Sequence, residues 1–413
     1  MTDDILSRLR CETERELLEN ILPFWMERAV DPLRGGFLGR IDGTGNADVS
    51  ADKGAVLNSR ILWTFSAAYR RWPRSEFLEA ARRAGSYLAN HFVDPRYGGI
   101  FWSVLNQERR GVSADGEPAV RKKQVYAQAF AIYGFSEYFR ATRDDSAREL
   151  ARSLFLLLER YARDPEFGGY CEAFSEEWAP IEDMRLSEKD LNIEKSMNTN
   201  LHVMEAYVNL YRIWPDPLLR QRIMELTEVL ECRIFDARTS HLGLFFDRRW
   251  NRADRCISYG HDIEASWLLQ EALEQIGCWT GEGRSADVVG SLARNVFPAI
   301  QPDGSLIYES GPEGDDLERH WWVQAENVVG MLNLYATTGD PQALSAAWAQ
   351  WGYIRRELID RQHGEWFWSR RNDGSASLDE DKAGLWKCPY HNGRMCMEVI
   401  ERTDRLLEKR SKP

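Results

Sequence analysis

The chain lacks the features that mark several large classes of protein. Its seven cysteines are an odd number and include no C-x-x-C pair, which favours reduced thiols over a disulfide framework or a zinc site. It has no run of about eighteen apolar residues, and its first residues, Met1 to Asp4, do not form an apolar signal region. We therefore expect a cytoplasmic protein without a membrane partner.

A basic surface and nucleotide-binding motifs are missing as well. Acidic residues outnumber basic ones by 65 to 53, and the net charge is −12, so nucleic acid is not an expected partner. The chain has neither a phosphate-binding loop nor a dinucleotide fingerprint. Three histidines and a glutamate could in principle hold zinc or manganese, but no H-E-x-x-H or H-x-H spacing is present. We expect no metal and no cofactor.

The chain does contain a six-fold repeat. A glycine turn followed by a short apolar burst returns at intervals of about 60 to 75 residues. The six copies are Gly35–Leu38, Gly98–Trp102, Gly168–Tyr170, Leu242–Phe246, Asp303–Tyr308 and His363–Trp368. Six similar units in one chain favour a closed ring, in which each unit holds two helices and a long loop.

Between the glycine turns the apolar residues follow a helical period. In 121–140, for example, Val125, Ala129 and Ile132 lie on one helix face. Twelve helices are predicted, at 3–29, 55–72, 75–92, 121–141, 144–162, 195–214, 216–234, 261–278, 283–299, 319–338, 341–360 and 390–409. Short links that contain a proline, such as the link at Pro73, make successive helices antiparallel.

These elements predict an all-α fold, an (α/α)6 barrel with short strands in the rim loops. Six antiparallel pairs form a double ring, with the long glycine loops at one end and the short links at the other. The alternative is an open helical solenoid, but the chain lacks the polar terminal caps that a solenoid requires. Because we find no linker, we expect a single domain over residues 1–413.

Ionisable and aromatic residues concentrate at the predicted starts of the even-numbered helices. These residues are Arg60, Tyr126, His202, His261, Trp321, Trp322, Glu326 and His391. In a barrel those helix starts all face the glycine loops, so the residues converge on one pocket. Core packing would not bias ionisable groups to one end. The 16 tryptophans could provide platforms for sugar rings, or could simply fill a large core.

Two histidines have neighbours that suit proton transfer. His261 and Glu264 share a helix face, so the carboxylate could raise the basicity of the imidazole; a structural salt bridge is the alternative. His391 follows a proline at a helix start, where the helix dipole would keep it a neutral base; an exposed capping histidine is the alternative. Taken alone, His202 fits a buried core position equally well.

Three segments resemble the cellobiose 2-epimerase family, within the wider N-acylglucosamine 2-epimerase superfamily. The segments are 182–202, which ends in Lys195-Ser196-Met197-Asn198-Thr199-Asn200-Leu201-His202, then 258–267 and 386–394. The resemblance covers essentially the whole chain. It implies an (α/α)6 barrel and an isomerase that reversibly epimerises C2 of a reducing-end sugar, with no metal or redox cofactor.

The resemblance also implies roles for individual residues. It implies His261 and His391 as the acid/base pair, supported by Glu264, and Arg60 as the cation beside a developing enediolate. His202 matches a histidine at the carbonyl end of the sugar. The positions expected to hold the sugars are Asp190, Asn198, Glu309, Trp322 and Trp386, and Tyr126 and Trp321 are expected to line the same pocket. Asn200 stands where relatives carry a further histidine.

We expect a small sugar as the partner, such as cellobiose, lactose, mannobiose or mannose, and a monomer or weak homodimer. One alternative is a mannose or N-acetylglucosamine 2-epimerase, or an aldose–ketose isomerase, which would use the same histidines. A second is an inverting glycoside hydrolase, which requires two carboxylates flanking the glycosidic bond. A third is a glycan-binding toroid without catalytic activity.

Overall fold

Twelve helices run through the part of the chain that the computed structural model describes, residues 2–106, 108–109, 112–113 and 118–411. Helix α1 comprises Thr2–Glu16, a π-helical turn at Leu17–Ile21 and Leu22–Glu27. The others are α2 (Ala55–Arg71), α3 (Ser75–Tyr87), α4 (Val125–Thr142), α5 (Asp145–Leu157), α6 (Met197–Tyr211), α7 (Pro217–Val229), α8 (Tyr259–Gln275), α9 (Gly283–Asn295), α10 (Trp321–Thr338), α11 (Pro341–Tyr353) and α12 (His391–Ser411). Further turns follow four outer helices as π-helix, at Leu88–Phe92, Leu158–Ala162, Leu230–Ile234 and Ile354–Leu358, and a 3-10 turn at Phe297–Ala299 follows α9.

The even-numbered helices form the inner ring and the odd-numbered helices the outer ring. In α2 every residue from Ala55 to Ser66 is buried, as expected of a helix surrounded by others. In α3 the buried residues form a single stripe that includes Phe77, Ala81 and Ala84. Each inner helix packs against the inner helices on both sides and against an outer helix. The predicted (α/α)6 barrel is confirmed.

The ring closes where α12 meets α2. Thr64 Oγ1 donates to the carbonyl oxygen of Pro389 at 3.1 Å, and the rings of Trp63 and Tyr390 meet edge to face at 5.6 Å. Helix α1 covers the outside of α12, where Arg10 forms an ion pair with Asp404 at 2.6 Å. The two ends of the chain are thereby fastened to each other.

Short antiparallel strands join the glycine loops to one another. The pairs are Arg40–Ile41 with Ala47–Asp48, Lys53–Gly54 with Ser103–Val104, Ser103–Val104 with Pro118–Val120, Glu108–Arg109 with Val112–Ser113, Lys123–Gln124 with Ala173–Phe174, Lys195–Ser196 with Phe245–Phe246, Phe235–Asp236 with His241–Leu242, Ile257–Ser258 with Glu309–Gly311, Glu309–Gly311 with Gly314–Asp316, and Arg319–His320 with Ser369–Arg370. The predicted rim strands are therefore confirmed. Helices α4, α6 and α10 begin two to four residues after the predicted starts at 121, 195 and 319, because the residues just before them pair with a neighbouring loop.

Glycine is required at the turn of three loops. Gly36, Gly99 and Gly169 have φ values of 61°, 83° and 71°, in the left-handed region that favours glycine. A Cβ atom at these positions would lie 2.6, 2.6 and 2.4 Å from aromatic rings. Those rings belong to Tyr87, Trp178 and Trp250. The glycine turn thus allows a large aromatic side chain to pack directly on the backbone.

An amide side chain in the first turn of an inner helix holds the preceding loop. Gln128 accepts from the backbone N–H of Ile100 and donates to its carbonyl oxygen. Asn200 makes the same two bonds to Tyr170. Asn200 is buried and bound to the backbone, so its side chain makes a structural contact in this chain.

All seven cysteines are free. Among the described residues, none of the helices combines the length and the hydrophobicity needed to cross a bilayer.

Candidate active site

Four inner helices place an ionisable residue at the same position, the sixth of the helix. These residues are Arg60 in α2, His202 in α6, Glu264 in α8 and Glu326 in α10. Inner helices of a closed ring run side by side, so equivalent positions lie in one layer near the glycine loops. All four side chains are buried. The convergence predicted from the sequence is therefore present in the structure.

The guanidinium group of Arg394, from α12, lies at the centre of this layer. Its Nη2 donates to Glu264 Oε1 at 2.6 Å and to Glu326 Oε1 at 2.7 Å. Its Nη1 donates to Glu205 Oε1, which also accepts from the hydroxyl group of Tyr390. Arg394 is 1% exposed. One buried cation thus holds three carboxylates that come from α6, α8 and α10.

The three carboxylates differ in their affinity for a proton. Burial acts to raise the pKa of Glu205, but Arg394 and His202 hold that pKa at about 2. Burial raises the pKa of Glu264 and of Glu326, and the negative charge of Glu326 raises the pKa of Glu264 further, while Arg394 opposes both effects. Glu205 is consequently ionised at neutral pH, whereas the pair formed by Glu264 and Glu326 can retain a proton.

Of the three histidines predicted in the site, His202 and His391 are each paired with a glutamate. His391 Nδ1 lies 2.7 Å from Glu326 Oε1, and His202 Nδ1 lies 2.7 Å from Glu205 Oε2. Burial lowers the pKa of both histidines, and the positive charge of Arg60 lowers it further. Both rings are therefore neutral at pH 7, with Nδ1 engaged by a carboxylate.

His261 has a different partner from the one predicted. Its Nδ1 lies 2.7 Å from Ser258 Oγ, and burial lowers its pKa to about 3. The predicted bond from Glu264 to His261 is wrong, because Glu264 turns to the buried cation of Arg394. One carboxylate oxygen from each of Glu264 and Glu326 and one ring nitrogen of His391 all lie within 4.8 Å of one another. Glu264 therefore lies beside His391.

Aromatic rings connect the two candidate proton-transfer histidines. The ring of Trp322 lies 4.7 Å from that of His261 and 5.7 Å from that of His391, between centroids. Trp321 is buried against Trp368 at 4.5 Å, and its indole N–H has no hydrogen-bond partner among the residues that the structure describes. Trp322 therefore contacts both histidines, whereas Trp321 packs beneath the rim.

Arg60 completes the charged layer from the side of α2. Its Nη2 donates to the hydroxyl oxygen of Tyr126 at 2.7 Å, and its Nη1 donates to the carbonyl oxygen of Trp386 at 3.3 Å. The guanidinium carbon lies 4.1 Å from the centroid of the Phe130 ring. Burial opposes the positive charge, but nearby groups, Tyr126 foremost, raise the pKa of Arg60 above its ordinary value. Arg60 is thus a permanent cation.

The remaining predicted sugar-binding residues lie nearer the rim. Burial raises the pKa of Glu309 to about 7, and Asp190 contributes to the rise. Burial also raises the pKa of Asp190, whose carboxylate accepts from the backbone N–H of Ser187 at 2.9 Å. Asn198, near the start of α6, has a buried Oδ1 that finds no hydrogen-bond partner in the described part of the chain. These polar groups lie on segments that surround the mouth of the pocket.

One cluster in the described part of the chain has the spacing of a metal site, and it belongs to this pocket. Its members are Glu264, Glu326 and His391. Arg394 already donates to both carboxylates, so the negative charge that a divalent cation would neutralise is balanced by a guanidinium group. The donor set therefore fits an ion-pair network better than a metal ion.

Sequence reasoning missed Glu205, Arg394, Tyr390 and Ser258. Glu205 lies three residues after His202, and Arg394 lies three residues after His391. The same spacing drew attention to Glu264 after His261. Applied to every histidine near a helix start, that spacing would have found Glu205 and Arg394.

Comparison with known proteins agrees with this geometry. The model of the N-acylglucosamine 2-epimerase (GlcNAc 2-epimerase) family matches residues 36–393. A cellobiose 2-epimerase from Bacteroides fragilis is 50% identical over 400 residues, which are 96% of this chain and 99% of that protein.

Solved structures give the same result. A cellobiose 2-epimerase from Spirochaeta thermophila has a TM-score of 0.90 at 39% identity, covering 97% of this chain and 98% of that chain. A D-mannose isomerase has a TM-score of 0.80 at 20% identity, covering 95% and 98%. The second likeness shows the fold alone.

Proposed function

The chain belongs to the N-acylglucosamine 2-epimerase family and is a carbohydrate 2-epimerase, and we propose that its pocket inverts C2 of the reducing-end glucose of cellobiose. The family resemblance expected from three sequence segments is confirmed. The choice of cellobiose follows the Bacteroides fragilis relative, which bears that substrate in its name. Related β-1,4-linked disaccharides such as lactose and mannobiose share the same reducing-end chemistry.

The observation that carries the proposal is the pair of neutral imidazoles that both contact the ring of Trp322. His261 comes from α8 and His391 from α12, and the Nδ1 atom of each is already engaged. The Nε2 atom of each ring is then available to the substrate. An enzyme that inverts a carbon through proton transfer needs one base for each face of that carbon.

The reaction requires an open-chain aldose. The hydrogen at C2 is then α to the C1 carbonyl and weakly acidic. One histidine removes this proton, the C2–H electrons form a C1–C2 double bond, and negative charge moves to O1. That histidine then releases its proton to solvent, while the other histidine takes up a proton from solvent and delivers it to the opposite face of C2 as the C1 carbonyl re-forms. The products are the epimeric aldose and an enzyme with its protons restored.

Arg60 and His202 serve the carbonyl end of the sugar. The cation of Arg60 stabilises the negative charge that develops on the enediolate oxygen, and a buried cation is effective because the site excludes water. His202, which Glu205 holds through Nδ1, presents Nε2 for the proton transfers that open and close the ring. Tyr126 orients the Arg60 guanidinium group.

The carboxylates support the histidines. Glu326 accepts from Nδ1 of His391 and fixes the tautomer in which Nε2 is the base. Glu264 lies beside this pair and shares Arg394 with it. Trp322 and Trp386 offer aromatic faces to the sugar rings, and Asn198, Asp190 and Glu309 offer hydrogen-bonding groups at the mouth. We propose further that one domain spans residues 1–413 and acts as a monomer or weak homodimer.

Incubation with single sugars tests this function. The protein should convert cellobiose to the disaccharide with mannose at its reducing end, and chromatography resolves the two. Lactose is tested as a related substrate. Mannose and N-acetylglucosamine are tested as the substrates of the alternative functions. Release of glucose would indicate an inverting hydrolase instead. Exclusive turnover of mannose or N-acetylglucosamine would reject the disaccharide assignment, and a lack of turnover on all four sugars would reject the proposal.

A further inference from the structure

The glycine loop that precedes α12 differs at one position from the loops that precede α2, α4 and α6. In three loops a Gly-Gly pair is followed by an apolar residue, as in Gly98-Gly99-Ile100. In the last loop the second position is Glu365, whose φ is 59°. The backbones correspond, because Asp360 N–H donates to the carbonyl of Glu365 at 2.9 Å, just as Asp94 N–H donates to that of Gly99. A residue with a side chain thus occupies a conformation that favours glycine.

The side chain of Glu365 is fully buried and has four partners. Its Oε1 accepts from Lys387 Nζ at 2.8 Å, from Asn392 Nδ2 at 2.6 Å and from the N–H of Trp366 at 3.0 Å. Its Oε2 accepts from Trp25 Nε1 at 3.0 Å. Glu365 and Lys387 are both 0% exposed.

These partners enclose the segment that carries His391. Lys387 follows Trp386, and Asn392 follows His391. In other repeats the amide of the inner helix bonds directly to the loop backbone, as Gln128 does to Ile100. In this repeat Asn392 bonds to the Glu365 carboxylate instead. The side chain of Glu365 therefore fixes the position of the start of α12, and the backbone of Glu365 has an unfavourable conformation.

We propose that Glu365 is a positioning residue that sets the place of His391 in the pocket. This inference rests on the proposed function, in which His391 transfers the proton on one face of C2. Proton transfer requires close approach of base and substrate, and a displacement of about 1 Å can lower a rate by roughly a hundredfold. Persistent strain at a buried residue with four polar partners is consistent with such a constraint.

The test compares hydrogen exchange in the two epimers. Each epimer is incubated separately in heavy water, and NMR follows both deuterium at C2 and conversion to the other epimer. His391→Asn is the reference, because the remaining histidine should exchange the C2 hydrogen of one epimer without epimerising it and should leave the other epimer unlabelled. This reference identifies the epimer that His391 serves.

Glu365→Gln and Asn392→Ala are the test variants. Glu365→Gln leaves the buried Lys387 without its carboxylate partner. Asn392→Ala keeps the Lys387–Glu365 pair, so it still tests the proposal if Glu365→Gln fails to fold. Both variants should raise the ratio of C2 exchange to epimerisation by about tenfold to a hundredfold in the same epimer as His391→Asn, with a smaller change in KM than in kcat. Leu154→Ala, in the buried face of outer helix α5, is the matched control for lost stability.

The outcomes separate the two proposals. If His391→Asn itself shows no asymmetry between the epimers, the two-base function fails, whatever Glu365 does. If His391→Asn is asymmetric but Asn392→Ala slows both epimers equally, or leaves both at the rate of Leu154→Ala, the positioning role of Glu365 is overturned.

Discussion

His391 Nδ1 lies 2.7 Å from Glu326 Oε1, and both side chains are buried. The two residues come from adjacent inner helices, α12 and α10. Glu326 is fixed in turn by Arg394 and by Trp267 Nε1, which donates to Oε2 at 3.1 Å. In this arrangement the Nδ1–H group of His391 donates to the Glu326 carboxylate. The unprotonated Nε2 is then the basic nitrogen of the ring.

Replacement of either proton-transfer histidine should remove most of the activity. His261→Ala and His391→Ala are each expected to lower kcat by roughly 10²–10⁴-fold, the usual contribution of general acid–base catalysis. Circular dichroism should show that the fold survives. Near-normal turnover by either variant would reject the role of that histidine.

Glu326→Gln should lower kcat more than Glu264→Gln. The first substitution removes the carboxylate that orients His391, whereas the second leaves that bond in place. We expect Glu326→Gln to lose less than the roughly 10²–10⁴-fold that the histidine itself contributes, because it removes the group that orients the base and not the base. Steady-state kinetics on both variants decides the order, and equal losses would argue for a shared role through Arg394.

Cellobiose that is epimerised in heavy water should carry deuterium at C2 of the product and little elsewhere. The hydrogen at C2 leaves as a proton in the enediolate mechanism and exchanges with solvent at the histidines. Exchange can be partial in each turnover if the pocket is closed to water. NMR after many forward and reverse turnovers measures the label, and its complete absence from C2 would contradict proton transfer by His261 and His391.

His391 should contribute a loss of stability as the pH falls below about 6.5. Burial lowers the pKa of His391 well below that of an unfolded histidine, so the unfolded state binds the proton first and is favoured by acid. Between pH 7 and pH 5 this single group should cost about 2 kcal/mol of unfolding free energy. Urea denaturation at the two pH values should show a decrease that is smaller by about that amount in His391→Asn. An unchanged pH dependence in this variant would mean that His391 is not held neutral.

Chelation should leave turnover intact. Arg394 already binds the carboxylates of Glu264 and Glu326, and the proposed chemistry needs no Lewis acid. Activity should be the same after prolonged dialysis against EDTA as before it. A loss that a divalent ion restores would instead assign a metal to the cluster that includes His391.

The helices and the barrel follow from the sequence because they depend on local and periodic features. Apolar spacing marks the twelve helices, and the repeated glycine turns mark the six loops that join them. The sequence also places Arg60, His202, Glu264 and Glu326 near helix starts, and a closed ring necessarily brings such starts to one end. These conclusions need no knowledge of how individual side chains pack.

The partners within the site were decided by tertiary structure. The spacing of His261 and Glu264 suits a direct bond, yet Glu264 binds Arg394, which lies 130 residues away, and His261 binds Ser258. Carboxylate partners strongly stabilise the buried guanidinium group of Arg394, because charge in the interior is costly without them. Helical spacing determines which residues share a face, but it cannot show that a neighbouring helix presents a stronger partner, and that competition is resolved only when the ring closes.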